Sequence, residues 1–292
     1  MNKTKRSFLA KIALLSAAFI WGTSFVVMKD SVDVFPTPVL LGIRFTLGCI
    51  LLCIIFCKKL KQLNKEYFVQ GGIIGIMLFL AYYTQTLGLT DTTPGKNAFL
   101  TAAYCVIVPF ILWVVKRKMP DVYNFSAAFL CLAGVGLVSL TNGFSMRFGD
   151  AFTLVGAFFY AAHIVVVARF SSDKDPVLLT ILQFGMAAIL SWIVALFTAK
   201  FPSEVSLGAI WGILYLAFFA TGAAMLLQNV GQKFTEPVSA SILLSLESVF
   251  GVIVSAICGA EQLTPKICAG FVLIFISVIV SETKLSFLRK RK

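Results

Sequence analysis

Residues 8–28 read FLAKIALLSAAFIWGTSFVVM. Lys11 is the only charge in that run. As a helix rising about 1.5 Å per residue the run is about 30 Å long, which matches the hydrocarbon thickness of a bilayer. Lys3, Lys5 and Arg6 precede it, as basic residues precede a signal peptide. A cleavable apolar region is shorter, however, and Trp21 sits where such a region would be ending, so the run reads as a retained first membrane helix.

The rest of the chain repeats that pattern. Ten apolar stretches of membrane-spanning length run over 8–28, 36–57, 68–89, 96–115, 123–141, 150–169, 177–199, 207–229, 237–258 and 264–281. Their connections are too short to hold a soluble domain. Of 292 residues 59% are hydrophobic and 13% charged, and the mean hydropathy is +0.93. Ordinary soluble domains carry about a quarter charged residues. A water-soluble protein of this size has too little interior to hide so much apolar surface. The predicted class is an all-α membrane protein with ten transmembrane helices.

The net charge of +12 is placed as membrane orientation places it. Basic residues form short runs between spans, such as Lys116-Arg117-Lys118 and Arg289-Lys290-Arg291-Lys292. With the N-terminus in the cytoplasm, the cytoplasmic segments carry 19 Lys and Arg, and the opposite loops carry 5, namely Lys29, Lys96, Arg147, Lys200 and Lys266. Acidic residues divide evenly, as expected where only positive charge is read. This predicts a multi-pass protein of the cytoplasmic membrane with both termini inside. Nucleic-acid binding, which needs one coherent basic face, is not expected.

Cys49, Cys53 and Cys57 recur every four residues and share a helical stripe. They lack an accompanying His or carboxylate, so small-residue packing is expected there, with no metal and no cofactor. Gly71 and Gly75 form a small-xxx-small pair suited to close helix contact. Pro94 and Pro237 suit helix starts.

Those two prolines also belong to an internal repeat. At an offset of 143, Gln85, Gly88, Pro94, Leu100 and Val106 match Gln228, Gly231, Pro237, Leu243 and Val249. Two units follow, 1–145 and 146–292, with five spans each. An odd number of spans turns the second unit upside down relative to the first, an arrangement that recurs in transporters with a site near the midplane.

Two stretches carry a family resemblance. Ile20-Trp21-Gly22-Thr23-Ser24-Phe25, followed by Leu41-Gly42-Ile43-Arg44-Phe45, resembles the opening of an EamA domain of the drug/metabolite transporter superfamily. Gln228, Glu236-Pro237, Leu246-Glu247 and Gly259-Ala260-Glu261 resemble a second copy. Ser248 replaces a proline common after the glutamate, and Tyr104 takes the glutamate's place in the first copy. The resemblance implies a secondary transporter or facilitator, an exporter of small metabolites such as amino acids, working by alternating access. It also implies a central cavity lined by helices 1, 3, 4, 6, 8 and 9.

Ionisable groups at bilayer depth are functional candidates by default. Arg44 lies about eight residues into its span, roughly 12 Å deep. It could meet an anionic substrate group, cap carbonyls of a broken helix or pair with Glu247. Glu247, near the centre of its span, has Gly251 and Ser255 on its face. It could carry a proton, hold a substrate amine or hydrogen-bond to neighbouring backbone. His163, the only histidine, shares a face with Tyr160 and could relay protons or bond a neighbouring helix. Asn97, Thr101 and Tyr104 share one helical face, as do Tyr82 and Gln85. Gln183 and Gln228 lie within the seventh and eighth spans. Trp21 could stack on a planar substrate. The expected substrate-binding set is Trp21, Tyr82, Gln85, Asn97, Tyr104, Tyr160, His163, Gln183 and Gln228.

An enzyme is not expected, since the chain has no H-E-x-x-H, no G-x-S-x-G and no acidic cluster. ATP drive is not expected either, in the absence of a G-x-x-x-x-G-K-[ST] loop. A flippase for lipids or lipid-linked sugars is the alternative. The expected partners are a small-molecule substrate and membrane lipid, with the chain either a monomer or a homodimer.

Overall fold

The computed structural model describes residues 3–92, 94–117, 119–139, 147–198, 200–202, 204–257 and 264–285. Lys118, the side chain of Ser255, Gly259-Ala260-Glu261, Arg289–Lys292 and the expected boundary at 145/146 lie outside the described residues.

Every regular element among the described residues is helical. In order they are α1 (Lys3–Val32), α2 (Thr37–Ile55), a 3₁₀ segment (Cys57–Gln62), α3 (Lys65–Thr90), α4 (Pro94–Ala102), α5 (Tyr104–Lys116), α6 (Val122–Ser139), α7 (Phe148–Phe170) and α8 (Pro176–Thr198). There follow α9 (Leu207–Tyr215), a π-helical segment (Leu216–Ala223), α10 (Ala224–Gln232), α11 (Pro237–Leu244), α12 (Glu247–Ile257) and α13 (Pro265–Thr283).

Among the described residues, seven stretches are long and apolar enough to cross a membrane: Thr4–Val32, Thr37–Ile55, Lys65–Thr90, Pro94–Lys116, Phe148–Phe170, Pro176–Thr198 and Leu207–Gln232. Three further apolar helices are shorter: Val122–Leu137, Pro237–Gly251 and Pro265–Ser281. Each expected span overlaps a helical run among the described residues, and seven of these runs meet the length and hydropathy of a membrane span. Start signals are local. Asn64 accepts a hydrogen bond from the Tyr67 amide at 3.1 Å, Thr264 does the same for Ile267 at 3.3 Å, and Pro94 and Pro237 open α4 and α11.

Burial is inside-out relative to a soluble protein. Leu196, Phe197 and Phe148 are more than three-quarters exposed, whereas Asn97, His163 and Gln183 are fully buried. Polar side chains in lipid turn inward to find partners, and apolar ones cover the outside. The chain is a multi-pass membrane protein.

Close helix packing follows the small residues. α3 packs on both α7 and α8, α2 on α8, and α6 on α13. A Cβ on Gly71 would strike the Leu182 side chain, and one on Gly75 would lie 2.6 Å from Met186 Cβ and 2.7 Å from the Gln183 carbonyl. The Gly71/Gly75 pair therefore sets the α3–α8 approach, as its spacing suggests. Gly75→Leu is expected to cost about 1–3 kcal/mol or more through overpacking, read as a lowered Tm and folded yield, while Gly208→Leu, where a Cβ would meet only Ser206 Oγ at 3.9 Å, leaves both unchanged.

The cysteine stripe is shorter than expected. α2 ends at Ile55, so Cys57 falls in the 3₁₀ segment, and Cys49 Sγ donates to the Ile181 carbonyl at 3.5 Å.

Three interruptions matter for the site. The helical run from Pro94 breaks at Ala103, the run from Pro237 breaks at Ser245-Leu246, and the run from Leu207 passes through the π-helical segment. Tyr104 and Glu247, 143 residues apart, each begin the segment after a break.

Candidate functional site

A cavity of about 610 Å³, counting its open mouth, lies among the interrupted helices. α1 contributes Trp21, Ser24, Phe25 and Met28, and α3 contributes Tyr82, Gln85, Thr86 and Leu89. Both sets follow i, i+3, i+4, i+7, the spacing of one helical face. Asn97 and Thr101 of α4, Tyr104 of α5, and Tyr160 and Ile164 of α7 form a further wall. Arg44, Gln228, Leu244 and Glu247 complete it.

The wall is held by hydrogen bonds. Tyr160 donates its hydroxyl to Gln85 Oε1 at 2.8 Å, and Gln85 Nε2 donates to Thr101 Oγ1 at 3.0 Å. Asn97 Nδ2 donates to the Gln85 carbonyl at 3.1 Å and to Thr153 Oγ1 at 2.9 Å, while its Oδ1 has no partner. The rings of Tyr82 and Tyr160 meet edge-on at 5.4 Å. Trp21 donates its indole N–H to the Ala220 carbonyl at 2.7 Å, which fixes the ring against the π-helical segment and marks it as interior rather than interfacial. Gln228 Nε2 donates to Gln232 Oε1 at 2.9 Å.

The two ionisable groups, Arg44 and Glu247, are both buried and are not paired with each other. Arg44 is 1% exposed. Its Nε donates to Thr221 Oγ1 at 3.1 Å, its Nη1 reaches Met28 Sδ at 3.3 Å, and its guanidinium lies 5.2 Å from the Tyr82 ring centroid. None of these partners is an anion. Glu247 is 5% exposed and accepts from the Tyr104 hydroxyl at 3.4 Å, a long bond. Buried charges need a counter-charge or strong hydrogen bonds. A cavity presenting one uncompensated cation and one carboxyl is suited to a ligand carrying both signs.

Seven of the nine expected substrate-binding residues line this cavity: Trp21, Tyr82, Gln85, Asn97, Tyr104, Tyr160 and Gln228. His163 and Gln183 are not among its lining residues. They are fully buried and bonded to each other, Nε2 to Oε1 at 2.8 Å, between α7 and α8. His163→Leu is expected to destabilise the fold by about 1–3 kcal/mol, because Gln183 Oε1 loses its partner. In binding titrations ligand affinity should stay within about threefold, a difference of well under 1 kcal/mol.

Ser24, Phe25 and Met28 were absent from the expected set, although stepping three, four and seven residues from Trp21 finds them. The π-helical segment, which bonds both Trp21 and Arg44, has no such sequence signal.

The model of the EamA-like transporter family matches this chain twice, over residues 8–140 and 147–283. The chain belongs to that family. An uncharacterized transporter of Archaeoglobus fulgidus is 35% identical over 272 residues, covering 93% of this chain and 85% of its own. The uncharacterized transporter YyaM of Bacillus subtilis is 27% identical over 93% of this chain and 92% of its own. A solved crystal structure with 17% identity superposes with a TM-score of 0.78, covering 96% of this chain and 98% of that one, and so shares the fold. This EamA protein is a membrane transporter, with its cavity built from residues of both matched segments.

Proposed function

We propose that this protein is a secondary transporter that exports small zwitterionic metabolites, amino acids in particular, across the cytoplasmic membrane by alternating access. Ten helices in two inverted units, 1–145 and 146–292, form the carrier, with both termini in the cytoplasm. The single observation that carries the reading is a buried guanidinium, Arg44, and a buried carboxyl, Glu247, lining one cavity without bonding to each other. Arg44 receives the carboxylate, Glu247 the ammonium, and the aromatic walls the side chain.

The inverted arrangement has its own support. Tyr82 donates to Met225 Sδ at 3.7 Å and Tyr104 to Glu247 Oε1 at 3.4 Å, and each pair is separated by 143 residues. Under two-fold symmetry a residue meets its own counterpart only near the axis. An axis through the cavity puts the site between the two units, so rocking one unit against the other exposes it alternately. Both Tyr104 and Glu247 sit at helix breaks, and irregular backbone at membrane depth is tolerated where it lines a cavity.

Thermal unfolding of the purified protein against the common amino acids tests the assignment. A ligand at a hundred times its Kd stabilises the fold by about 2.7 kcal/mol. An amino acid that raises Tm should do so more than its decarboxylated amine or its deaminated acid. Equal shifts from the acid or amine alone would remove the two-charge site. Shifts from lipid-linked sugars and from no soluble compound would favour a flippase instead.

A further inference from the structure

Between Ile55, where α2 ends, and Lys65, where α3 begins, residues 56–64 read FCKKLKQLN. With Lys65 the connection carries four lysines and no acid. Residues 57–62 coil as the 3₁₀ segment, in which positions i and i+3 eclipse and each turn rises about 6 Å. That geometry sorts the run into ridges. Leu60 and Leu63 turn inward and pack on the cluster of Tyr67, Ile74, Val167, Leu178 and Leu179. Lys59 turns to the α7–α8 connection, where its Nζ pairs with Asp175 at 2.5 Å. Lys58 and Lys61 form a third ridge, which is exposed. Lys65, also exposed, stands at the positive end of the α3 dipole.

The neighbouring acids leave this ridge uncompensated. Asp175 holds Lys59, and Glu66 holds Lys174 at 2.5 Å. Lys58, Lys61 and Lys65 have no acidic side chain within ion-pair distance among the described residues. The ridge also borders the lipid-facing surface. Ile54 and Ile55 just before the connection, and Phe68 and Val69 just after it, are each more than half exposed. An apolar border beside an uncompensated cationic ridge fits the two parts of an anionic phospholipid, its acyl chains and its phosphate. A nucleic acid or an acidic soluble protein would use the charge and leave the apolar border unused.

We propose that the α2–α3 connection is a binding site for an anionic phospholipid. Its phosphate lies on the Lys58–Lys61 ridge with Lys65 beside it, and its acyl chains run along Ile54, Ile55, Phe68 and Val69. Leu60 and Leu63 on the core side, with the Lys59–Asp175 pair, fix the segment so that the ridge is presented before the lipid arrives. A basic residue close to a membrane surface strengthens attraction to anionic lipid about fivefold. The site is independent of what the cavity carries.

Native mass spectrometry of the full protein in detergent, titrated with phosphatidylglycerol or with phosphatidylcholine of the same acyl chains, tests the site. The wild-type protein should bind phosphatidylglycerol about tenfold or more tighter than phosphatidylcholine. Lys58→Gln/Lys61→Gln should weaken phosphatidylglycerol about twentyfold and leave phosphatidylcholine within about twofold. Lys5→Gln/Lys116→Gln removes the same charge from two other exposed positions and should keep phosphatidylglycerol binding within about twofold. All four lysines are exposed, so both variants should fold in wild-type yield. Equal affinity of the wild-type protein for the two lipids, or equal losses in the two double variants, would overturn the site. Adducts of glycerol 3-phosphate at the same concentrations would make it a site for a soluble phosphate and overturn the lipid assignment.

Discussion

Replacing Glu247 by Gln is expected to lower amino-acid exchange in proteoliposomes about a hundredfold, and to abolish its dependence on pH. The substitution keeps the shape of the side chain and its reach to the Tyr104 hydroxyl while removing its charge and its titration. A hundredfold corresponds to about 2.7 kcal/mol, which lies within the loss typical of truncating one partner of a buried hydrogen-bonded charge pair. The sign with pH follows from competition for one carboxylate. Protonated Glu247 cannot attract an ammonium, so the wild-type protein should bind amino acids more tightly as the buffer becomes more alkaline. Glu247→Gln should bind weakly throughout. Wild-type flux and an intact pH response in Glu247→Gln would end the proton-exchange role. His163→Gln, whose site is off the cavity wall and bonded to Gln183, should keep the wild-type pH response.

Arg44→Met is expected to weaken amino-acid binding by a hundredfold or more, about 3 kcal/mol, while leaving the matching amine within a fewfold of its own affinity. The guanidinium has the face of Tyr82 on one side and Thr221 and Met28 at its edges, so its position is fixed before a ligand arrives. Arg44→Lys should not rescue binding, because a point charge on a flexible stem neither stacks on the Tyr82 ring nor presents two parallel donors to a carboxylate. Equal losses for amino acid and amine, measured by titration of the purified variants, would make Arg44 a structural cation that supports the α2 contact with the π-helical segment.

The helical class and the position of each helical run were legible because a lipid solvent imposes a simple rule: about twenty apolar residues, then charge or a turn. The face-sharing sets were legible for the same reason, since helical spacing puts Tyr82 with Gln85, and Asn97 with Thr101 and Tyr104, on one wall. The bond between His163 and Gln183, away from that wall, was not legible, because depth and polarity alone do not distinguish a side chain aimed at a cavity from one bonded to the next helix. How α7 and α8 meet beside α3, which packs on both, decides that. The break at Ser245-Leu246 was also hidden. Neither residue is Gly or Pro, so the local sequence has none of the usual breakers, and the interruption arises where α11 and α12 meet α1, α4 and α6. The separation of Arg44 from Glu247 was likewise a matter of tertiary distance, which the sequence left open as a pair.

Counterflow tests the central claim most directly, because it needs neither the direction of flux nor the coupling ion. Proteoliposomes loaded with a mixture of unlabelled amino acids are given the same mixture in labelled form outside, with the wild-type protein and with Ser24→Trp. Ser24 lines the cavity and is 8% exposed, so an indole there occupies the space that the substrate needs. The account predicts that labelled amino acids accumulate with the wild-type protein above the level of empty liposomes, and that Ser24→Trp, folded and inserted to the same yield, abolishes the accumulation. Absence of accumulation in the wild type, or equal accumulation in the plugged variant, would contradict it.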